Sequence, residues 1–277
     1  MRKLEIQEFR QIQLGILSAV AEFCDRNGIS YWIDSGTLLG AIRHKGYIPW
    51  DDDIDIGMLR PDYEKFSRLF NAANDRYRFC AYELDHSFLY PLGKVLDTTT
   101  VLYEPDENGN KLSVNIDVFI YDNAPDDDAQ VARMYRVRDF YNMLHQVRNG
   151  LISHRGSRGR AAALKAGRLA LSLFPKDFFV SRMVANAKRF AEKPTARVGN
   201  FTAVSRIACE KNIFDTFEKA SFEGRLYRIP GGYDRWLRAF YGDYMKLPPK
   251  EKQVAHHAFV AYTLDEAQTK TTGENHV

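Results

Sequence analysis

The chain has 277 residues, of which 45% are apolar, and its formal net charge at pH 7 is +3. This length and apolar content allow a sizeable hydrophobic core, in one large domain or one and a half. No run of about 18 apolar residues is present, so the sequence does not predict a membrane-spanning helix.

The cysteines and the first residues indicate a cellular compartment. Cys24, Cys80 and Cys209 are odd in number and far apart, without the spacing of a metal or redox site. The N-terminal stretch carries Glu5 and Glu8 and lacks the apolar segment of a signal peptide. We therefore expect a reduced chain in the cytoplasm.

Residues 3–26 have apolar side chains at largely helical spacing, which predicts a first helix. Residues 31–33 then read as a short strand and residues 38–43 as the start of a second helix, after a turn formed by Ser35, Gly36 and Thr37. Ser35 or Thr37 is placed to cap that helix. A helix N terminus presents free N–H groups and a positive dipole end to an anion, so the turn is a predicted phosphate site, with Arg43 as a further phosphate contact.

An acidic run follows, with four carboxylates in five positions: Asp51, Asp52, Asp53 and Asp55. Such carboxylates repel one another unless a cation, a proton or strong donors offset them. If residues 54–59 form a strand, Asp53 and Asp55 project to one side while the intervening isoleucines enter the core. Two carboxylates on one face predict a Mg²⁺ or Mn²⁺ site suited to displacement at phosphorus.

Of two other interpretations of this run, a solvated turn is disfavoured and an EF-hand loop fails. An aspartate-rich run is often only a solvated turn, but Ile54 and Ile56 favour burial. An EF-hand loop counted from Asp51 requires Gly and Glu at its sixth and twelfth positions, where the chain has Ile56 and Asp62. Which of the four carboxylates contact the metal remains open.

The next segment supplies a third carboxylate. Pro61 opens a predicted helix over residues 62–73, and strands are predicted over 78–84, 92–103 and 113–121, the last two joined by a turn at 108–110. Asp117 lies between apolar residues of the last strand and is costly to bury without a partner. That partner is a metal or the proton of an attacking hydroxyl, or else a structural donor. Lys94 either faces the cleft as a phosphate contact or extends to solvent.

Residues 126–148 read as a helix with an acidic, capping start. From Arg148 to Arg189 there are ten basic residues against the single acid Asp177, near several leucines. A basic amphipathic stretch of this kind is typical of contact with an anionic membrane surface or a glycolipid carrier. Charges that are simply solvated are the alternative, and no aromatic-interleaved basic motif indicates nucleic acid.

The C-terminal part reads as a strand over residues 225–229, a short aromatic helix over 233–241, and a crossover over 243–249 to a further helix. That last helix contains His256 and His257, whose roles are left open. A quaternary ammonium group would need a cage of aromatic faces, for which Trp236, Tyr241 and Tyr244 are unranked candidates.

Two segments resemble the LicD family of phosphocholine transferases, which is related to the fukutin group of ribitol-phosphate transferases. They are SGTLLGAIRHKGYIPWDDDIDIG and SFEGRLYRIPGGYDRWLRAFYGDYMKLPPKEKQVAHH, and they bracket roughly residues 30–257. The resemblance implies a nucleotidyltransferase-type fold with a Gly36-Thr37 turn and metal ligands at Asp53, Asp55 and Asp117. The separation of Gly36 from Asp53 is longer than in most nucleotidyltransferases but fits the LicD pattern.

The predicted fold is α+β, a nucleotidyltransferase-like mixed sheet flanked by helices, with an additional helical C-terminal part. We expect a core with the metal site over residues 1–148 and a basic helical segment over 149–195. Residues 196–265 complete the domain, and 266–277 form a flexible tail.

The predicted function is metal-dependent transfer of phosphocholine, or a related alcohol phosphate, from a CDP-linked donor such as CDP-choline to a sugar hydroxyl. The acceptor is a bacterial surface glycan or its lipid-linked precursor, which implies peripheral contact with the inner membrane face. Asp53, Asp55 and Asp117 are the predicted catalytic and metal-binding residues, and Ser35, Gly36, Thr37, Arg43 and Lys94 the substrate-binding ones. Nucleotidyl transfer and a non-catalytic glycan- or nucleotide-binding module are the alternatives.

Overall fold

The computed structural model describes residues 1–103, 111–152, 158–254 and 259–264, and has the predicted α+β composition. The helices are α1 Ile6–Asn27, α2 Ser35–Arg43, α3 Arg60–Leu69, α4 Asp128–Asn149, α5 Arg158–Leu171, α6 Phe178–Ala187 and α7 Tyr233–Tyr241. The strands are β1 Arg2–Lys3, β2 Trp32–Ile33, β3 Asp55–Leu59, β4 Tyr77–Cys80, β5 Gly93–Asp97, β6 Thr100–Tyr103, β7 Lys111–Leu112, β8 Asn115–Ala124, β9 Arg197–Gly199, β10 Ala208–Glu210, β11 Phe217–Phe222, β12 Arg225–Pro230 and β13 Val260–Thr263.

The long strand β8 is the centre of the main sheet. Strand β3 runs parallel to it and β2 follows antiparallel to β3, while β5 and β9 pair antiparallel with the first and last parts of β8. Strand β4 pairs with β5, and β10 with β9. The sheet is therefore mixed, as predicted, and it includes strands from the C-terminal part of the chain. The β11–β12 hairpin and a sheet of order β1-β13-β6-β7 complete the described strands.

Helix α1 forms because its apolar residues recur on one face and both of its ends are capped. Glu5 and Glu8 form a capping box at its start, and Gly28 ends it in the left-handed conformation, with φ of 57°. Its buried face joins the large core shared by β2, β3, β8, β12 and α7. The C-terminal hairpin and α7 thus pack on the same core as the N-terminal elements.

The structure corrects several predicted boundaries. Helix α2 begins at Ser35, and its N-cap is Asp34 instead of Ser35 or Thr37. Helix α3 begins at Arg60 and ends at Leu69. Strand β8 extends to Ala124 because β9 supplies a pairing partner for its last residues.

The predicted strand over residues 92–103 is two strands in different sheets. Asp97 ends β5, and its carboxylate accepts hydrogen bonds from the backbone and hydroxyl of Thr99 at 2.9 and 2.6 Å. This side-chain turn competes with the sheet ladder and separates β5 from β6. The predicted turn at 108–110, His256, His257 and the tail over 266–277 lie outside the described residues.

The basic segment contains two helices of different character. Helix α6 buries Phe179, Val180 and Met183, and it packs against α4. Helix α5 has no buried side chain within its described part, and Leu169 near its end is 76% exposed. Over the described parts of the chain, no helix combines the length and apolar character needed to cross a membrane.

Gly57 gives a test of the core beside the site. A methyl group on Gly57 would lie 2.4 Å from the ring of Trp32, which is fully buried. We expect Gly57→Ala to lower the free energy of unfolding by about 3 kcal/mol, because the close-packed core has no room for the methyl group. Urea unfolding monitored by circular dichroism measures this. A loss below about 0.5 kcal/mol would contradict the packing at this position.

Candidate active site

The N terminus of α2 is held by a buried carboxylate that the sequence did not single out. Asp34 is fully buried, and its oxygens accept hydrogen bonds from the Ser35 backbone N–H and from Trp236 Nε1, both at 2.8 Å, as well as from the Tyr121 hydroxyl. Burial raises the pKa of Asp34, while these donors favour its charged form. Three separate parts of the chain thereby fix where α2 begins.

The first turn of α2 is also tied to the start of β3. The Thr37 hydroxyl oxygen accepts the backbone N–H of Asp55 at 2.9 Å, and Thr37 is only 2% exposed. Ser35 has a φ of 47°, in the left-handed region that residues other than glycine rarely adopt. Strain of this kind is typical of functional sites, where the surrounding structure maintains it. The substrate-binding role of Thr37 stays a prediction.

Carboxylates from two adjacent strands lie side by side, and one of them, Asp55, lines a cavity together with this turn. Asp55 and Asp117 are directly opposite in the parallel register of β3 and β8. Asp51, Asp52 and Asp53 each offer one oxygen, and these oxygens lie within 4.8 Å of one another. A methyl group on Gly36 would lie 2.5 Å from Asp51 Oδ2, so the carboxylates reach the start of α2.

Helix α1 positions the loop that carries the acidic run. Arg10 Nη2 donates to the backbone oxygen of Asp51 at 2.7 Å, and Gln13 Nε2 donates to that of Asp52 at 3.2 Å. Gln13 Nε2 also donates to the backbone oxygen of Asn115, at the start of β8. Helix α1 therefore joins the acidic loop to the central strand.

The electrostatics of these carboxylates favour a bound cation. Burial, followed by the charge of Asp53 and a hydrogen bond to it, raises the pKa of Asp51 to about 7. Burial and the charges of Asp53 and Asp117 raise the pKa of Asp55 well above its usual range. A divalent cation would relieve this repulsion, and an all-oxygen donor set fits Mg²⁺ or Mn²⁺.

Lys94 faces this cluster instead of extending to solvent. It is opposite Asp117 in the antiparallel pairing of β5 with β8, and its ammonium forms an ion pair with the Asp117 carboxylate. Lys94 Nζ also donates to Asn115 Oδ1 at 3.1 Å, and the residue is 9% exposed. Asp117, the carboxylate predicted to need a partner, is thus paired with Lys94. Lys94 therefore lies beside the predicted metal ligands.

A cavity of about 720 Å³ lies over the carboxylates, and we call it the donor cavity. The residues that line it are Ser35, Gly36, Leu39, Arg43, Ile48, Trp50, Asp51, Asp53, Asp55, Tyr241, Asp243, Tyr244, Lys246, Leu247, Pro248, Pro249 and Lys252. Arg43 is held there by donating from Nη1 to the backbone oxygen of Tyr244 at 2.7 Å. The cavity is thus formed jointly by α2, the acidic loop and the segment after α7.

The three aromatic candidates for a cage lie in different environments in the structure. Trp236 is fully buried in the core and bonded to Asp34, so it is not part of a cage. Tyr241 and Tyr244 line the donor cavity together with Trp50. The sequence did not predict that Asp34 holds the start of α2 or that Trp50, Lys246 and Lys252 line this cavity. The two lysines lie in the C-terminal segment that resembles the family, and their positive charges could have indicated an anion-binding role.

Gly36 offers a contrast to Gly57, because its missing methyl group faces the site instead of the core. We expect Gly36→Ala to displace the Asp51 carboxylate and lower turnover about a hundredfold, while the free energy of unfolding changes by less than about 1 kcal/mol. Turnover and urea unfolding on the same preparation measure both effects. Full activity in a folded variant would contradict the close approach of Gly36 to Asp51.

A carboxylate cluster beside a helix N terminus, on an α+β core, is typical of sites that take a cation together with an anionic ligand. Comparison with known proteins narrows this class. The family described as "LicD/FKTN/FKRP, nucleotidyltransferase domain" matches residues 28–147. The chain is 31% identical over 276 residues to the lipopolysaccharide cholinephosphotransferase LicD of Haemophilus influenzae, covering 95% of this chain and 100% of that protein. The chain therefore belongs to the LicD family.

Two human proteins are similar over shorter stretches. Ribitol-5-phosphate transferase FKTN is 30% identical over 118 residues, covering 43% of this chain and 22% of that protein. Ribitol 5-phosphate transferase FKRP is 36% identical over 67 residues, covering 24% of this chain and 12% of that protein. The resemblance to LicD and the fukutin group that was drawn from two sequence segments is thus confirmed.

Proposed function

We propose that this protein transfers an alcohol phosphate, with phosphocholine as the first candidate, from a CDP-linked donor to a sugar hydroxyl of a bacterial surface glycan or its lipid-linked precursor. The observation that carries the proposal is the meeting of Asp53, Asp55 and the N terminus of α2 in one cavity. A diphosphate needs both a cation and free N–H donors, and this cavity offers ligands for both. The names of the relatives, transferases of choline phosphate and ribitol phosphate, support the same reaction class.

The donor's diphosphate lies at the first turn of α2, with Gly36 and Thr37 supplying backbone N–H groups and Arg43 a guanidinium. Mg²⁺ held by Asp53 and Asp55 would neutralise charge on the phosphate oxygens. The faces of Trp50 and Tyr241, which line the same cavity, suit a quaternary ammonium that makes no hydrogen bonds. This favours a choline head group over a polyol.

The reaction is an in-line displacement at the phosphorus that bears the alcohol. The sugar hydroxyl oxygen forms a bond to this phosphorus, the bond to the bridging oxygen breaks, and CMP leaves with that electron pair. The hydroxyl proton passes to the Asp117 carboxylate. Lys94 orients this carboxylate through their ion pair.

Ligand-induced stabilisation tests the donor without any acceptor. Thermal unfolding is measured with CDP-choline, CDP-ribitol, CDP-glycerol, CDP-ethanolamine and nucleoside triphosphates, each with and without Mg²⁺ or Mn²⁺, on the native chain and Asp53→Ala. A ligand at about a hundred times its dissociation constant adds about 2.7 kcal/mol of stability. A metal-dependent shift for CDP-choline, absent in Asp53→Ala, supports the proposal. Stabilisation by triphosphates alone favours nucleotidyl transfer, and no shift favours a binding module of another kind.

We further propose that α5 and the residues after it rest on an anionic membrane surface, where a lipid-linked acceptor resides. The basic residues Arg160, Lys165 and Arg168 lie on this helix, and Leu169 and Leu173 are 76% and 89% exposed. Exposed leucines among basic residues bind an anionic interface through both apolar burial and charge attraction.

The membrane contact predicts a measurable loss. The variant Leu169→Glu/Leu173→Glu is expected to bind phosphatidylglycerol vesicles at least about tenfold more weakly, because it loses apolar burial and adds repulsion. Co-sedimentation with vesicles at several salt concentrations measures the partition. Val204→Glu is the control, since Val204 is 85% exposed but lies outside this segment. Equal binding by all three proteins would contradict the contact.

A further inference from the structure

A second large cavity lies over the same sheet. It has a volume of about 820 Å³, in the range of ligand-binding sites, and we call it the basic cavity. It is formed by β4, β5, β7, the loop between β4 and β5, the ends of α4 and α5, and residues that follow these two helices. The described residues that line the donor cavity and those that line the basic cavity have no member in common.

One row of side chains across four strands connects the carboxylates to the basic cavity. Asp55 is opposite Asp117, Asp117 is opposite Lys94, and Lys94 is opposite Cys80 in the strand pairings. Residues directly opposite in a sheet lie on the same face. Cys80 lines the basic cavity, and Tyr90, which also lines it, has its ring centre 5.4 Å from Lys94 Nζ. The basic cavity therefore begins at the Cys80 end of the row, which is the end away from Asp55 and Asp117.

The two cavities lie toward opposite ends of this row. Asp51, Asp53 and Asp55 line the donor cavity at one end, while Cys80 and Leu96 line the basic cavity at the other. Displacement at phosphorus requires the attacking and leaving oxygens to be in line, on opposite sides of that atom. With the leaving CMP in the donor cavity, the attacking hydroxyl approaches from the end at Asp117 and Lys94.

The lining of the basic cavity identifies the chemistry of its ligand. Four cationic side chains line it, on Lys111, Arg148, Arg168 and Lys176. Asp85 is the single acidic side chain among the described residues of this lining, and its oxygens accept from the backbone N–H and hydroxyl of Ser87 at 2.8 Å. The excess positive charge fits an anion, with phosphate as the group that several cations bind best.

The remaining lining fits a carbohydrate. Asn142 and Gln146 on α4 offer amide donors and acceptors for hydroxyl groups, and Phe88 and Tyr90 offer aromatic faces. A cavity of this size, with adjacent aromatic and amide groups, has room for a short oligosaccharide. The chemistry thus combines a sugar with an anionic substituent.

We propose that the basic cavity binds the acceptor, and that it selects a phosphate-bearing glycan whose attacking hydroxyl reaches Asp117 past Tyr90. This rests on the proposed function in one respect, that the chain transfers a group to a glycan. The phosphate of the acceptor is bound by the four cations and is not the phosphate that reacts.

Binding without any donor tests this proposal separately from the transfer reaction. The probes are the phosphate-bearing oligosaccharide released from lipopolysaccharide by deacylation, the same oligosaccharide after enzymatic removal of its phosphates, and inorganic phosphate. Titration calorimetry with the full chain gives each dissociation constant. We expect the phosphorylated oligosaccharide to bind at least about tenfold more tightly than the other two.

A pair of double variants assigns the binding to the basic cavity. Lys111→Ala/Lys176→Ala removes two exposed cations of the lining and is expected to weaken binding of the phosphorylated oligosaccharide about tenfold. Lys193→Ala/Lys219→Ala changes the net charge equally, and neither lysine lines the cavity. In the transfer assay the first variant raises the KM for acceptor and not the KM for CDP-choline.

Three results would overturn the proposal. They are equal binding of the phosphorylated and dephosphorylated oligosaccharides, equally tight binding of inorganic phosphate alone, and equal weakening in the two double variants. Failure of the proposed transfer appears differently, as the absence of any CDP-alcohol effect in thermal unfolding while the oligosaccharide titration is unchanged.

Discussion

Replacing Asp53 by Ala or Asp55 by Asn is expected to lower kcat at least about a thousandfold, which corresponds to about 4 kcal/mol of transition-state stabilisation. Both side chains line the donor cavity, and Asp55 is buried opposite Asp117. Under the proposed function, removing either carboxylate removes a ligand for the proposed cation, which would offset charge on the donor phosphates. Steady-state transfer from CDP-choline at saturating Mg²⁺ measures the loss.

Urea unfolding distinguishes a variant that has lost only a metal ligand from one whose fold is damaged. The charges of Asp53 and Asp117 together with burial disfavour ionised Asp55, so Asp55→Asn in metal-free buffer is expected to unfold at no lower urea concentration than the native chain. Asp128→Ala is a matched control from the second aspartate triplet, since the Asp128 side chain is 90% exposed and distant in sequence from the site. Near-normal turnover in both Asp53→Ala and Asp55→Asn would refute the metal assignment.

Lys94→Met is expected to lower kcat at least about a hundredfold and the free energy of unfolding by about 2 kcal/mol in metal-free buffer. The substitution leaves the Asp117 carboxylate without its ammonium partner beside Asp55. Losing one partner of a buried pair costs about 3 to 5 kcal/mol, and the smaller figure allows for the Asp117 side chain, which is 21% exposed. Urea unfolding and transfer kinetics measure the two effects.

A second substitution separates the effect of Lys94 on the free energy of unfolding from its effect on kcat. Adding Asp117→Asn to Lys94→Met removes the unpaired charge, so stability is expected to return toward the native value while kcat does not recover. Lys219→Met, on the exposed face of β11, is the control for loss of a lysine. Unchanged kcat in Lys94→Met would mean that the ion pair only supports the fold.

Local patterns in the sequence predicted the parts of the site that are set by alternation along a strand. Ile54 and Ile56 are fully buried, as the alternation required, and Asp117 lies opposite Asp55 on the neighbouring strand. The bounds predicted for the aromatic helix, 233–241, are those of α7. In each case a short segment contains the whole signal, because side-chain direction follows directly from position along a strand or helix.

Contacts between distant segments were not predictable. Asp34, Ser35 and Thr37 are all good capping residues, and the choice of Asp34 depends on Tyr121 and Trp236, which are 87 and 202 residues away in sequence. The sorting of Trp236 into the core and Tyr241 into the donor cavity likewise follows from how α7 packs. Periodicity does not contain this information.

Lys94 shows the same limit at the centre of the site. A lysine within a strand extends to solvent or faces a cleft, and its own segment does not distinguish the two. The register of β5 against β8 decides, because it puts Lys94 opposite Asp117. Strand register depends on both strands and on the turn between them, so it lies beyond the local pattern.

The fate of the two phosphorus atoms of CDP-choline tests the central claim most directly. The native chain and Asp53→Ala are incubated with Mg²⁺, a phosphorylated lipopolysaccharide oligosaccharide, and CDP-choline labelled with ³²P either next to cytidine or next to choline. The account predicts that only the phosphorus next to choline appears on the oligosaccharide, that the other remains in CMP, and that Asp53→Ala transfers neither. Appearance on the acceptor of the phosphorus next to cytidine would contradict it and show nucleotidyl transfer.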